Sequence, residues 1–272
     1  MTSTTIAGEA GTGQEGGPLQ EKGGVPALLK GFAILDLLSG EPGLPFAAIQ
    51  QRLGLPKSSC HLLLATLQRL GAIHLREDRS YALGLRLFEL GTMAANQRQI
   101  DREAQPFLRR LAHDVHLTCH LGVREGLKAV YLAKVDCERE IMINTWVGKR
   151  ISLNSSSLGK ILLAWLPAAE LDDILSHLDW TAKCPNTITD PARFREHLGL
   201  VRQRGYAIDD QEDILSIRCL AAPVLDMQGR VTAALSVVGT VLDLDLDAME
   251  ALARRVRSAA LDISRALGHQ PG

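Results

Sequence analysis

Between Phe46 and Tyr81 the spacing of apolar positions changes twice. Phe46, Ile49 and Leu53 recur at i, i+3 and i+7, which predicts a short helix with one apolar face. Gly54-Leu55-Pro56 ends it, because glycine permits a positive φ and proline cannot continue the hydrogen-bond ladder. Cys60, Leu63, Leu64, Leu67 and Leu70 then mark the buried stripe of a second helix. Its first turn and outer face carry Lys57, Ser58, Ser59, His61, Ala65, Gln68 and Arg69. After Gly71, two short extended runs, Ala72–Leu75 and Ser80–Leu83, flank the charged tip Arg76-Glu77-Asp78-Arg79. Upstream, Leu28, Phe32, Leu35 and Leu38 predict an amphipathic helix that stops at Ser39-Gly40 and Pro42-Gly43. Helix, turn, helix and a basic-tipped hairpin make the layout of a winged helix-turn-helix, which reads duplex DNA.

Farther on, Leu83, Leu87, Leu90 and Ala94 predict a helix that continues past Gln97 as a connector. Phe107, Leu108 and Leu111 begin another amphipathic helix. From Thr118 the period falls to two. Cys119–Val123 and Ala129–Val135 read as strands around an Arg124-Glu125-Gly126 turn, with Glu140–Thr145 as a third. Ser157–Leu166, Ala168–Leu178 and Phe194–Arg204 read as helices, the last closed by Gly205. Tyr206–Asp209, Cys219–Leu225 and Val231–Val238 read as strands, the last two joined at Asp226–Gly229. Met249, Leu252, Val256, Ala259, Ile263 and Leu267 form one face of a terminal helix. The expected class is α+β, an antiparallel sheet flanked by helices behind an N-terminal winged helix-turn-helix. The expected division is a disordered tail over 1–24, where little can be buried, the DNA-binding domain over 25–83, a linker helix over 84–98 and a second domain over 99–272.

The chain has 272 residues, 46% hydrophobic and 22% charged, which is ordinary for a folded protein and leaves room for two modest domains. No apolar run approaches the roughly 18–20 residues that span a bilayer, so no membrane role is expected. The N-terminus has no basic region leading into an apolar core, so no secretory signal is expected. Five scattered cysteines without a CxxC pair predict reduced thiols in a cytoplasmic protein. Residues 23–98 carry a net charge of +3 and residues 99–272 one of −2. So small an excess predicts DNA affinity that depends on dimerisation and a few well-placed contacts.

Enzyme-like patterns fail on their own terms. Gly159-Lys160 lacks the first glycine of a phosphate loop, since Asn154 stands there, and Ile161 replaces the Ser or Thr. Asp243, Asp245 and Asp247 echo a calcium loop, but Ala248 replaces its glycine and Arg254 its bidentate glutamate. His113, His116, Cys119 and His120 straddle a helix end and a strand, so no converging metal site is expected. No histidine is placed to activate Cys219. The expectation is a regulator without metal, cofactor or catalytic residues.

Five separated motifs carry a family resemblance. Gly54-Leu55-Pro56-Lys57-Ser58-Ser59-Cys60-His61 resembles the turn and recognition helix of IclR-type transcriptional regulators, and Tyr81-Ala82-Leu83-Gly84-Leu85-Arg86-Leu87 their wing exit. Leu158-Gly159-Lys160-Ile161-Leu162-Leu163-Ala164 is similar to a helix start of that family. Arg204–Asp210 and Arg218–Val224 resemble its two C-terminal motifs. The resemblance covers residues 25–268 in order. It implies a GAF-like effector domain, a homodimer or homotetramer, a partly palindromic duplex operator, and a small metabolite that modulates operator binding. It further suggests a repressor of a catabolic operon. Three positions depart from the pattern. Leu62 stands where arginine is usual, Asn154-Ser155-Ser156-Ser157 replaces a His-Ala-Thr-Ala run, and Ser216 replaces a glycine.

The candidate sites follow. Lys57, Ser58, Ser59 and His61 offer donors to phosphate or a base edge, and Arg76 and Arg79 suit the minor groove or the backbone. Leu62 either meets a thymine methyl or lies on a partly covered face. Asn154, Ser155, Ser156 and Ser157 precede a helix whose free N–H groups would face a carboxylate; an N-cap with a polar loop is their commoner use. By the resemblance, Asp209, Cys219 and Ser236 add polar groups to an effector pocket, and Ile143, Ile151, Leu158, Ile217 and Val238 its walls. Trp146–Arg150, Ile161–Trp165 and Asn186–Thr189 resemble the branch that senses ketodeoxygluconate-type sugar acids. A hydroxyl-rich loop suits a polyhydroxylated acid better than a benzene ring.

Overall fold

The computed structural model describes residues 24–96, 99–137 and 143–270. The tail expected over 1–24 lies outside them except for Gly24. The chain divides between Ala94 and Ala95 into two compact units.

The first unit holds α1 (Pro26–Gly40), β1 (Leu44–Pro45), α2 (Phe46–Arg52), α3 (Lys57–Arg69), β2 (Ile73–Leu75), β3 (Ser80–Leu83) and α4, which starts at Leu85 and ends at Asn96. Its antiparallel sheet runs β1-β3-β2. The two-residue β1, pairing Leu44 with Tyr81, is too short to have left a periodic signal. Ile34, Leu38, Ile49, Leu55, Cys60, Leu64 and Ile73 make the core. Gly54 turns the chain between α2 and α3 at φ +60, where a side chain would be strained.

Two apolar faces differ from expectation. In α1 the core takes Gly31, Ile34 and Leu38, while Leu28 and Phe32 are exposed. That helix is apolar almost all round, so its period could not select a face. In α3 the stripe runs out at the C-cap, and Leu70 is exposed. On α4, Leu85, Phe88, Leu90 and Met93 are exposed as well. Gln97 and Arg98, through which the connector was expected to continue, lie outside the described residues.

The second unit holds α5 (Gln99–Val115), β4 (Thr118–Glu125), β5 (Lys128–Val135), β6 (Arg150–Ser152), α6 (Ser157–Ala164), α7 (Ala168–His177), α8 (Pro191–Arg204), β7 (Ala207–Asp210), β8 (Ile217–Leu225), β9 (Val231–Thr240) and α9 (Met249–Ala266). One antiparallel sheet runs β6-β5-β4-β9-β8-β7. The third strand is β6; of the expected Glu140–Thr145, the described residues 143–145 are not extended into a ladder, and the rest lies outside the description.

Alternation on the strands sorts the two faces. Cys119, Leu121 and Val123 on β4, Leu220, Ala222 and Val224 on β8, and Ala233, Leu235 and Val237 on β9 pack with α5 and α9. The intervening Ala207, Ala221 and Ala234 turn to the other face, against α6, α7 and α8. All eight residues of α6 are buried there.

Candidate functional site

The DNA-facing candidates sit on α3 and the β2–β3 hairpin. Lys57, Ser58, His61 and Leu62 are exposed and Ser59 is half-buried. No side chain caps the N-terminus of α3, so its first-turn N–H groups stay free for an anion. The His61 ring lies 6.3 Å from that of Phe46 on α2. At the hairpin tip, Arg79 N–H donates to Arg76 O (3.0 Å) and Arg76 N–H to Ser80 O (2.8 Å). Asp78 Oδ1 accepts from Ser80 N (2.9 Å) and Oγ (2.6 Å), which holds its carboxyl below the usual range. The tip is thus closed on itself, with both Arg76 and Arg79 exposed.

Leu62 is 69% exposed, on the outer face beside His61, so none of the described residues covers it. Leu62→Arg is expected to tighten duplex binding and to steepen the slope of log K against log salt by about 0.9, one added phosphate contact. Fluorescence anisotropy at several salt concentrations reads this, and an unchanged slope would put position 62 off the contact surface.

In the second unit a narrow cavity of about 40 Å³ opens between the sheet and the start of α6. Its lining includes ten of the expected residues: Ile143, Ile151, Ser156, Ser157, Leu158, Asp209, Ile217, Cys219, Ser236 and Val238. Asn154 and Ser155 are buried but lie outside that lining, because their side chains brace neighbouring segments. Asn154 Nδ2 donates to Asp179 O (3.1 Å) and Ser155 Oγ to Asp213 Oδ1 (2.5 Å). Ser156 is the N-cap of α6: its Oγ accepts from Gly159 N (3.1 Å) and donates to Ser152 O (2.5 Å). The serine run therefore serves partly as a cap and partly as a cavity wall.

Six lining residues were not anticipated: His120, Tyr131, Thr145, Lys149, Asp213 and Ile214. Strand parity could have found His120. Its neighbours Cys119 and Leu121 face the α5/α9 core, so His120 must face the side that carries Ser236, its cross-strand partner. Its Nε2 lies 2.8 Å from Thr145 Oγ1, and burial with nearby Lys134 pulls its pKa down to about 3, leaving a neutral ring. Lys149 is held by Asn144 O (3.1 Å) and lies over the Trp146 ring at 4.9 Å.

At the β7 end, Asp209 Oδ1 accepts from Glu212 N (2.8 Å). Burial, only partly opposed by that hydrogen bond and by Lys160, pushes the Asp209 carboxyl up to about 7. Asp213 pairs with Lys183, whose Nζ also donates to Ser152 Oγ (2.6 Å). Behind Asp209, the fully buried Lys160 of α6 pairs with Glu212 and donates to Ile208 O (2.8 Å). Burial drives the Lys160 ammonium down and the Glu212 carboxyl up, and each partner's charge resists the other's shift.

A carboxyl whose folded pKa exceeds its unfolded one stabilises the fold at low pH, and that contribution is lost as pH rises through the folded value. For Asp209 the window runs from its ordinary 3.8 to about 7. Asp209→Asn is therefore expected to flatten the fall in stability across that window. Urea unfolding at a series of pH values checks it, and parallel wild-type and variant curves would contradict it.

Two family descriptions match the chain: the IclR helix-turn-helix domain over residues 27–76, and the bacterial transcriptional regulator IclR C-terminal domain over residues 92–265. The chain belongs to the IclR family of transcriptional regulators. It is 38% identical to the HTH-type transcriptional regulator RhmR of Escherichia coli K12 over 91% of this chain and 95% of that one. The crystal structure of Thermotoga maritima IclR is similar with a TM-score of 0.74 at 30% identity, covering 89% of this chain and 98% of that one. An IclR homologue from Microbacterium hydrocarbonoxydans, complexed with 4-hydroxybenzoate, is similar with a TM-score of 0.75 at 26% identity, covering 89% and 98%. The expected α+β class and DNA-binding regulator type therefore hold, in a family of regulators rather than enzymes. No described helix is long and apolar enough to cross a membrane. At φ +64, Ser216 holds a left-handed backbone that a glycine would adopt without strain.

Proposed function

We propose that this IclR-family regulator binds a partly palindromic operator as a homodimer or homotetramer, and that a polyhydroxylated organic acid in the α6 cavity modulates that binding, as in a repressor of a catabolic operon. One observation carries the effector reading. The cavity combines two carboxyl groups (Asp209, Asp213), five hydroxyls (Tyr131, Thr145, Ser156, Ser157, Ser236) and one ammonium (Lys149) with aliphatic walls.

An acid's carboxylate is served by Lys149 and the positive end of the α6 dipole. Asp209 and Asp213 already hold Glu212 N, Ser155 and Lys183. A ligand's hydroxyls can add further hydrogen bonds to them, and a polyhydroxylated acid can make more of these than an aromatic acid with a single hydroxyl. As it stands the space suits about three waters, so the effector must widen it by moving a wall. Ile214, on the segment before β8, is the most exposed of the wall residues. Widening the cavity only when occupied is the differential interaction that a population shift requires. The exposed apolar side chains Leu28 and Phe32 on α1 and Leu85, Phe88 and Met93 on α4 support assembly with a second copy.

DNA recognition is assigned to Lys57, Ser58, Ser59, His61 and Leu62 on α3, with Arg76 and Arg79 at the hairpin tip. The test is a gel-shift titration of the operator-bound protein with sugar acids and aromatic acids, alongside thermal shift. The expected result is release of DNA, and a higher melting temperature, with a six-carbon sugar acid. Response to 4-hydroxybenzoate with none to any sugar acid would overturn the effector class. No response to any acid would overturn effector control itself.

A further inference from the structure

His120 is almost completely buried in the cavity lining, yet its Nδ1 has no hydrogen-bond partner among the described residues. A buried ring nitrogen left unpaired is rare enough to need a reason. The ring cannot turn to find one. Its Nε2 is held by Thr145 Oγ1 at 2.8 Å, and its face stacks on Tyr131 with centroids 4.2 Å apart and planes at 20°. Thr145 is itself anchored, since Lys134 Nζ donates to its carbonyl (2.8 Å) and pairs with Asp136 (3.0 Å).

The sheet register gives this nitrogen a place in the site. His120 and Ser236 pair across β4 and β9, and one row along, Val238, Cys219 and Asp209 align across β9, β8 and β7. His120 and Asp209 therefore stand three strand spacings and one row apart, roughly 16 Å between backbones, with Ser236, Val238, Ala221 and Cys219 between them on that face. Of these, Ser236, Val238 and Cys219 line the cavity, which thus carries His120 from β4 and Asp209 from β7 in one lining.

We propose that His120 is a specificity-determining residue of the effector site, whose Nδ1 hydrogen-bonds a hydroxyl of the ligand at the end of the cavity opposite Asp209. A hydroxyl is the group that fits. If Thr145 donates to Nε2, then Nδ1 carries the proton and needs an acceptor; if Thr145 accepts, Nδ1 needs a donor. A hydroxyl meets either demand, whereas a carboxylate meets only the first. The inference rests on the effector reading above and assigns the residue that selects among hydroxy acids.

The test is isothermal titration of the full-length protein with D-gluconate, 2-keto-3-deoxy-D-gluconate, 4-hydroxybenzoate, and the analogue of each that lacks one hydroxyl. His120→Phe keeps a flat ring on Tyr131 and removes both nitrogens. It is expected to weaken the best-bound hydroxy acid by roughly 10- to 100-fold, while one deoxy analogue binds variant and wild type within about twofold. Equal loss on every analogue would mean packing alone and would overturn the assignment. If the Phe variant folds poorly, long-range 1H–15N spectra of histidine-labelled wild type decide, with His120 assigned by its absence from H120N. The Nδ1 resonance should move on addition of the hydroxy acid and not of its deoxy analogue; an unmoved Nδ1 overturns the assignment. If no acid binds wild type, effector control fails and this role falls with it. If acids bind and H120F binds them equally well, only the role of His120 is lost.

Discussion

Gly159→Ala is expected to destabilise the second unit by about 3 kcal/mol, the upper end of ordinary overpacking. A Cβ at position 159 would lie 2.3 Å from Leu153 O, 2.4 Å from its Cα and 2.6 Å from its carbonyl carbon. All three are backbone atoms, so no side-chain rotation relieves the contact. The segment leading into α6 must move instead, and with it Ser156, whose Oγ ties Gly159 N to Ser152 O. The cavity should suffer too, because Ser157 and Leu158 line it. Urea unfolding followed by tryptophan fluorescence measures this, since Trp146, Trp165 and Trp180 all belong to the second unit. Gly199→Ala on α8 is the control. Its Cβ would meet nothing within 4 Å, so it should gain about 0.5–1 kcal/mol from helix propensity. Equal midpoints for the two variants would refute the close approach at Leu153.

Lys160→Met is expected to cost about 3–5 kcal/mol, because it leaves Glu212 buried without its partner. Lys160 is fully buried, and Glu212 nearly so, with its Oε2 already without a partner among the described residues. The loss should also reach the cavity. Glu212 N holds Asp209 Oδ1, and Glu212 O accepts from Thr187 Oγ1 (2.6 Å), so the 209–213 segment is positioned through that residue. Lys160→Met with Glu212→Leu removes both charges and should recover most of the stability, since a buried ion pair gains little over apolar side chains of similar volume. A double mutant as unstable as the sum of the singles would mean that the two residues act independently. Weaker effector binding in the restored double mutant would separate the positioning role from the stabilising one.

How legible the protein was in its sequence depended on how local each signal was. In the DNA-binding unit, the break at Gly54-Leu55-Pro56 and the charged tip at Arg76–Arg79 are set by residues within a few positions of each other, so the turn and the hairpin could be read directly. The α1 face could not be read. Leu28 and Phe32 repeat at a helical spacing as well as Ile34 and Leu38 do, and only packing against α3 and β3 decides which pair is buried. The strands from β7 to β9 were legible because one face of each meets a helix layer and the alternation survives. The strand Arg150–Ser152 was not read from the sequence because a three-residue ladder is too short to carry a period.

By itself, then, the sequence determined most of the longer helices and strands and the family, since each rests on local periodicity and on motifs along the chain. Ten cavity residues were likewise named from motif resemblance. Only the tertiary structure decided that Lys160, an unremarkable cation on an apolar helix, lies wholly inside the protein against Glu212, 52 positions away. It alone turned Asn154 and Ser155 from ligand donors into braces for Asp179 and Asp213, and brought His120 to Thr145 across 25 positions. The reason is common to all three. A polar side chain's role is set by the partner that replaces water when it is buried, and that partner is chosen by the fold, not by its neighbours in sequence.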